Sequence, residues 1–178
     1  WWWNSLAYTY RLLGRNDEAV AAYRGGIEAS EEGRSNVSQT LNLANMQLQT
    51  GHPADAIKTV EVFESGKLPI SEYGMTVLTN VRGCARHLLG DSAGAEADRT
   101  WLATHEQASP ANLTDLLVCL DDMDTAAAVL LKRLEDPELR PDALFQLAEY
   151  DPPSHPQLTD PTKAKWIAFK ARPDVRDA

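Results

Sequence analysis

The sequence predicts an all-α fold, a right-handed α-solenoid of stacked antiparallel helical hairpins. Apolar residues recur at helical spacing along most of the chain, and alternating runs of β-branched residues are nearly absent. Three successive apolar faces are closed by glycines separated by 37 and 39 positions, namely Gly14, Gly51 and Gly90. A period of this length is typical of stacked helical hairpins.

The residues after these glycines support the same fold. Five positions beyond each glycine the chain has an alanine: Ala19, Ala56 and Ala95. Alanine lets two helix backbones approach closely, and a single hairpin cannot bury its apolar face alone. We therefore expect the three alanines to be buried where paired helices cross. The adjacent Gly25 and Gly26 are expected to serve a similar close contact in the first unit.

Seven positions of the first unit carry a family pattern: Trp3, Leu6, Ala7, Tyr10, Gly14, Ala19 and Tyr23. This pattern resembles the tetratricopeptide repeat family. The second unit keeps Leu43, Ala44, Gly51 and Ala56, whereas the third is degenerate because Arg82 stands where the pattern has a leucine. The resemblance implies a non-catalytic scaffold that binds a protein or peptide in a concave groove and needs no cofactor.

The resemblance also implies which side chains face the groove. They are Asn4, Tyr8, Arg11, Asn42, Asn45, Gln49, Asn80 and His87. Amide side chains can bond to a peptide main chain, and Tyr8 can stack or donate a hydrogen bond. The alternative is that these side chains only solvate the inner surface. The family's clamp for C-terminal carboxylates is disfavoured, because its two lysines have no counterpart here.

The predicted organisation has four parts. Residues 1–106 form three hairpins, 107–151 a diverged hairpin plus one helix, 152–159 a proline-rich linker, and 160–178 a capping helix and tail.

Capping residues predict where the later helices begin. Ser109 with Pro110 begins one helix, and Asp124 is the expected N-cap of the next. Asp160 with Pro161 is expected to open the last helix.

Charge bounds the choice of partners. The net charge of −9 disfavours nucleic acid, and no run of 18 apolar residues exists that would span a membrane. Residues 109–151 hold ten acidic and three basic side chains, a net charge of −7. The basic last helix, with Lys163, Lys165 and Lys170, either lies against this acidic segment or is simply solvated.

The sequence predicts neither a catalytic residue nor a metal site. Cys84 and Cys119 are interpreted as buried free thiols, with a disulfide left open. Cys84 and His87 share a helix face, but only His105 offers a third ligand where zinc needs about four. Convergence of these three side chains would favour an enzyme instead.

The chain opens on Trp1, Trp2 and Trp3 without an initiator methionine, so we expect a fragment or a processed form. The missing segment would hold either a targeting signal or more repeats, which leaves the compartment open with the cytoplasm favoured. Trp1 and Trp2 either pack on an upstream helix or form an exposed patch that docks a partner or a second copy. The alternatives to a peptide groove are thus a structural or regulatory segment of a larger protein, and a homo-oligomerisation module.

Overall fold

The computed structural model describes residues 2–29, 36–64, 68–148 and 160–178, and within these ranges all regular structure is helical. Trp1 and the predicted linker at 152–159 lie outside the described residues. The α-helices are α1 (Trp2–Leu12), α2 (Asn16–Glu28), α3 (Val37–Gln49), α4 (Pro53–Val60), α5 (Glu72–Leu88), α6 (Ser92–Thr104), α7 (Pro110–Cys119), α8 (Met123–Glu135), α9 (Arg140–Leu147), α10 (Lys163–Lys170) and α11 (Pro173–Arg176). Short 3-10 helices follow α4 at Glu61–Phe63 and α6 at Glu106–Ala108. The predicted all-α solenoid is confirmed.

Consecutive helices pair and the pairs stack. Helix α1 packs on α2, α3 on α4, α5 on α6 and α7 on α8, each across a short connection. The first helices of successive pairs also touch, since α3 contacts both α1 and α5, and α5 contacts α7. They therefore form one inner row. Helix α9 packs on α8 and α7, α10 on α7, and α11 on α8.

The predicted turn and crossing positions are confirmed. The glycines that end α1, α3 and α5 have φ values of 71°, 80° and 85° for Gly14, Gly51 and Gly90. This left-handed conformation is strained for residues with a side chain. The three alanines placed five positions later are at most 2% exposed.

Gly25 and Gly26 allow α1 and α2 to approach closely. A Cβ atom at Gly25 would lie 2.8 Å from the ring of Trp3, and one at Gly26 would lie 2.8 Å from Trp3 Cβ and Gln39 Cγ. The indole of Trp3 thus occupies the space that larger residues would fill, as the packing interpretation predicts.

Two apolar clusters form the core. The smaller one joins α1 and α2 to α3 through Ala7, Ala19, Ala22, Tyr23, Leu43 and Met46. The larger one runs from α3 to α11. The first hairpin thus packs on α3 through a cluster that is separate from the larger one.

Some predicted boundaries are wrong. Asp122, not Asp124, is the N-cap of α8, because its carboxylate accepts the Thr125 N–H at 3.4 Å. Asp121 precedes it with a φ of 62°, so the chain turns sharply there. Asp160 does not begin α10 but accepts the N–H and the hydroxyl of Thr162, after which the helix begins at Lys163.

Ion pairs join the basic C-terminal segment to the acidic one. Lys165 Nζ lies 2.7 Å from a carboxylate oxygen of Asp121, and Arg172 Nη1 lies 2.9 Å from Asp124 Oδ1. Each of these pairs has an exposed acidic partner and holds the C-terminal helices against the turn between α7 and α8.

The interpretation of Cys84 and Cys119 as free thiols is wrong. The two residues form a disulfide between α5 and α7, with Cα atoms 5.7 Å apart. This distance lies within the ordinary range for disulfides. Both cysteines lie on neighbouring first helices, and their separation of 35 positions is close to the repeat period. That separation is the signal in the sequence that points to the pairing.

Candidate binding groove

The inner row of helices carries a line of amide side chains. Asn42 and Asn45 share a face of α3 because they are three positions apart on a helix. Asn4 lies on α1, Asn80 on α5 and Asn112 on α7. Each inner helix therefore contributes at least one asparagine, and we call this set the asparagine row.

Two concave cavities run along the asparagine row. The first has a volume of about 450 Å³ and is lined by Asn4, Ser38, Gln39, Leu41, Asn42, Asn45, Tyr73, Val77 and Asn112. The second has a volume of about 240 Å³ and is lined by Asn45, Leu48, Gln49, Val77, Asn80, Val81, Cys84, Asn112, Asp115, Cys119, Asp160, Thr162 and Trp166. Because Asn45, Val77 and Asn112 line both, the cavities form one groove.

Hydrogen bonds join the amide side chains of the groove to neighbouring polar side chains. Asn42 Nδ2 donates to Asn4 Oδ1 at 3.3 Å, and Asn112 Nδ2 donates to Thr76 Oγ1 at 2.9 Å. Gln49 Nε2 donates to Asn45 Oδ1 at 3.3 Å. An amide group offers two N–H donors and an oxygen with two lone pairs, so these bonds leave capacity for a ligand.

Five of the predicted groove residues lie together along the groove: Asn4, Asn42, Asn45, Gln49 and Asn80. Tyr8 and His87 do not line these two cavities, and Tyr8 is 56% exposed. Arg11 donates from Nη2 to Gln49 Oε1 at 2.7 Å, so it positions an amide of the groove from the side of α1.

Several groove residues were not predicted from the sequence, and three of them are Tyr73, Asn112 and Asp115. Tyr73 lines the larger cavity, Asp115 lines the smaller, and Asn112 lines both. Asp115 follows Asn80 by 35 positions, as Asn80 follows Asn45. This spacing could have extended the groove to α7, but α7 lacks the glycine and alanine signature on which the repeat was recognised.

The carboxyl group of Asp115 has an unusual environment. Burial raises its pKa from 3.8 to about 6. Gln146 Nε2 donates to Asp115 Oδ1 at 2.8 Å, and the charge of Arg133 opposes the rise in pKa. The nearby carboxylates of Asp142 and Asp160 favour it.

Two of the three residues considered for zinc or catalysis are engaged elsewhere. Cys84 is in the disulfide, and the imidazole of His105 stacks on Trp101 with ring centroids 3.9 Å apart. Within the described ranges, no group of three or more His, Cys, Asp or Glu side chains is arranged to hold a metal ion.

The exposed N-terminal surface is aromatic. Trp2 is 65% exposed and its ring meets that of Trp3 edge-on, with centroids 4.6 Å apart. Trp3 itself is partly buried against the smaller core cluster, as its predicted role requires.

The fold and the groove define this chain as an α-solenoid of stacked helical hairpins with a polar inner surface. Residues 3–35 match the family model of the tetratricopeptide repeat. The match supports a tetratricopeptide repeat assignment for this segment and confirms the resemblance predicted from Trp3 to Tyr23. No curated protein and no solved structure matches the chain.

Tetratricopeptide repeats generally mediate protein–protein interaction and are generally non-catalytic scaffolds. None of the helices in the described parts of the chain combines the length and the apolar character needed to cross a bilayer.

Proposed function

We propose that this chain is a non-catalytic module that binds an extended peptide segment of a protein partner in the groove. The observation that carries the proposal is the asparagine row along two cavities that join at Asn45, Val77 and Asn112. The row crosses all four inner helices, so it supplies contacts along a length of peptide and not at one point.

Amide side chains suit this task. Each can donate to a peptide carbonyl and accept from a peptide N–H, so a row of them can pair with a main chain of any sequence. Apolar patches between the amides, such as Val77 and Leu41, can take alternate side chains of the peptide. Such a groove recognises an extended conformation first and sequence second.

The proposal can be tested at Asn45, which lines both cavities. Peptides selected from a random library on the immobilised protein would be titrated against the parent and against Asn45→Ala. Loss of main-chain hydrogen bonds predicts about tenfold weaker binding for Asn45→Ala. Asn16→Ala, on the outer helix α2, is the matched control and should bind like the parent. Equal affinity of all three proteins, or no selected peptide, would contradict the proposal.

A second candidate function is self-association through the N-terminal aromatic surface, which the 65% exposure of Trp2 favours. Sedimentation of Trp2→Ala beside the parent tests it, since an unchanged mass would exclude this surface as an oligomer interface.

A further inference from the structure

The smaller cavity has a different chemical character from the rest of the groove. At this end α5 and α7 face the segment that leads into α10, and the lining includes Asp115, Asp160, Thr162 and Trp166 beside the asparagines. The cavity is thus bounded by two carboxyl groups, a hydroxyl and an indole ring. We call this end of the groove the acidic pocket.

Arg133, whose positive charge acts on Asp115, is already engaged by other partners. Arg133 is almost completely buried, and its guanidinium lies 2.7 Å from Asp142 Oδ2 through Nη2. Its Nη1 atom donates to Thr114 Oγ1 and to Gln146 Oε1. Gln146 in turn donates to Asp115. Asp115 is therefore reached by an amide, while the neighbouring positive charge is balanced by another carboxylate.

Two of the three lysines of α10 are also committed, and the third, Lys163, is exposed and does not line the cavity. Lys165 Nζ donates to the carbonyl of Cys119 and to a carboxylate oxygen of Asp121. Lys170 donates to the carbonyl of Ala148 at 3.1 Å, with its Nζ 5.9 Å from the centre of the Trp166 ring. Among the described residues that line the acidic pocket, Asp115 and Asp160 are acidic and none is basic, so the lining carries a surplus of negative charge in a place partly removed from water.

We propose that the acidic pocket is a subsite for the basic side chain of a bound peptide, so that the partner segment carries a lysine or arginine where it passes α7. This inference rests on the proposed function, since it names the chemistry of one residue of that peptide. A cation there would lie between Asp115 and Asp160 and next to an aromatic ring, an arrangement that attracts ammonium and guanidinium groups. The net charge of −7 over residues 109–151 would also steer a basic segment toward this end of the groove.

The titration of Asp115 gives the subsite a pH dependence. The groups that act on it are Gln146, Arg133, Asp142 and Asp160. With a pKa of about 6, the carboxyl is charged at neutral pH and becomes neutral in mild acid. A basic peptide should therefore bind more weakly as the pH falls through this value, and its binding should release protons.

The test uses the peptides selected on the parent protein. Each is compared with a copy in which the basic residue is replaced by norleucine, and affinities are measured by calorimetry at neutral pH. We expect the basic peptide to bind Asp115→Asn about tenfold more weakly than the parent, and the norleucine copy to bind both alike. Asp55→Asn removes the same charge from the exposed face of α4 and should leave both affinities unchanged.

The outcomes separate this inference from the proposed function. Selected peptides that depend on Asn45 but show no preference for lysine or arginine would overturn the acidic pocket and leave the groove standing. An effect that disappears when the peptide N-terminus is acetylated would assign the pocket to a terminal amine and contradict a side-chain subsite. If Asp115→Asn loses its helical circular dichroism, Asp160→Asn takes its place, and unchanged affinity there overturns the proposal. If no peptide binds, both proposals fail together.

Discussion

The N-terminal helices α1–α4 and the C-terminal helices α5–α11 build the same kind of hairpin with different chemistry. In the first hairpin the crossing is made by small and aromatic residues, with Ala7, Ala19 and Ala22 buried beside Tyr23. In the third hairpin it is made around a buried ion pair, because Arg82 and Asp98 lie between α5 and α6. Arg82 lies eight positions before Gly90, as Leu6 lies eight before Gly14. Asp98 lies eight positions after Gly90, as Ala22 lies eight after Gly14.

The ion pair of the third hairpin is well satisfied. Asp98, with a side chain only 3% exposed, has Oδ1 2.6 Å from Arg82 Nη2 and Oδ2 2.9 Å from Arg86 Nη1. Glu64 reaches Arg82 from outside. Gly83 makes room for it, since a Cβ there would lie 2.9 Å from Asp98 Cβ. The comparison shows that both hairpins keep the glycine turn and the alanine five positions after it. The positions of Leu6 and Ala22, in contrast, accept a pair of opposite charges in the third hairpin.

The largest expected effect is that of Tyr23→Asp in the first hairpin. It would replace a buried ring in the smaller core cluster by a charged side chain too short to take over the hydrogen bond between the Tyr23 hydroxyl and Arg11, and we expect a loss of about 4 kcal/mol in the free energy of unfolding. Because this cluster is separate from the main core, α1 and α2 should unfold before the remaining helices. Urea titration followed by circular dichroism would show this as an early transition of limited amplitude.

Tyr8→Asp is the matched control for that variant. Tyr8 lies in the same hairpin but is 56% exposed, so the same substitution should cost less than about 0.5 kcal/mol. Equal losses in the two variants would show that Tyr23 does not hold the first hairpin together.

A smaller loss is expected for Asp98→Ala in the third hairpin. The substitution leaves Arg82 and Arg86 facing each other without their shared carboxylate, and breaking a buried pair in this way costs about 3 kcal/mol. Urea titration of the single and double variants measures it. The double variant Arg82→Leu with Asp98→Ala restores the residue types of the first hairpin and should regain most of the stability. A double variant as unstable as the single one would contradict the equivalence of the two crossings.

The hairpin pattern was predictable because it rests on local requirements. Gly14, Gly51 and Gly90 are needed where φ is positive, and the alanines that follow are needed where helices cross. Both requirements leave single residues at fixed spacing in the sequence. The third hairpin looked degenerate because its charge pair joins positions 16 apart on two helices, a relation that apolar periodicity does not reveal.

The groove was predictable only over α1, α3 and α5. Asn42, Asn45 and Asn80 could be placed by repeat position, but Asn112 and Asp115 lie on α7, where that pattern is absent. The part played by α10 depends on a contact between segments far apart in the chain, such as Lys165 with the Cys119 carbonyl. Local sequence does not specify contacts of this kind.

The smallest expected effect is the pH-dependent stability that Asp115 gives to the C-terminal helices. Its carboxyl has a pKa of 3.8 in the reference state and about 6 in the folded protein. As the pH rises between these values, the unfolded chain loses this proton first, so folding becomes less favourable and then levels off above the folded pKa. This difference in pKa corresponds to about 2–3 kcal/mol of folding stability, which is present in mild acid and lost at neutral pH.

Asp115→Asn removes this titration and keeps an oxygen that can accept from Gln146. We therefore expect the variant to be more stable than the parent at neutral pH by about 2 kcal/mol and to match it near pH 4. Unfolding in urea at several pH values measures the difference, with Asp55→Asn as the control that should follow the parent throughout. A variant that gains stability while it loses affinity for basic peptides would show two things. The carboxylate of Asp115 destabilises the free protein, and a bound cation offsets this destabilisation. A variant less stable than the parent at neutral pH would instead make Asp115 a structural residue of the α7–α9 contact.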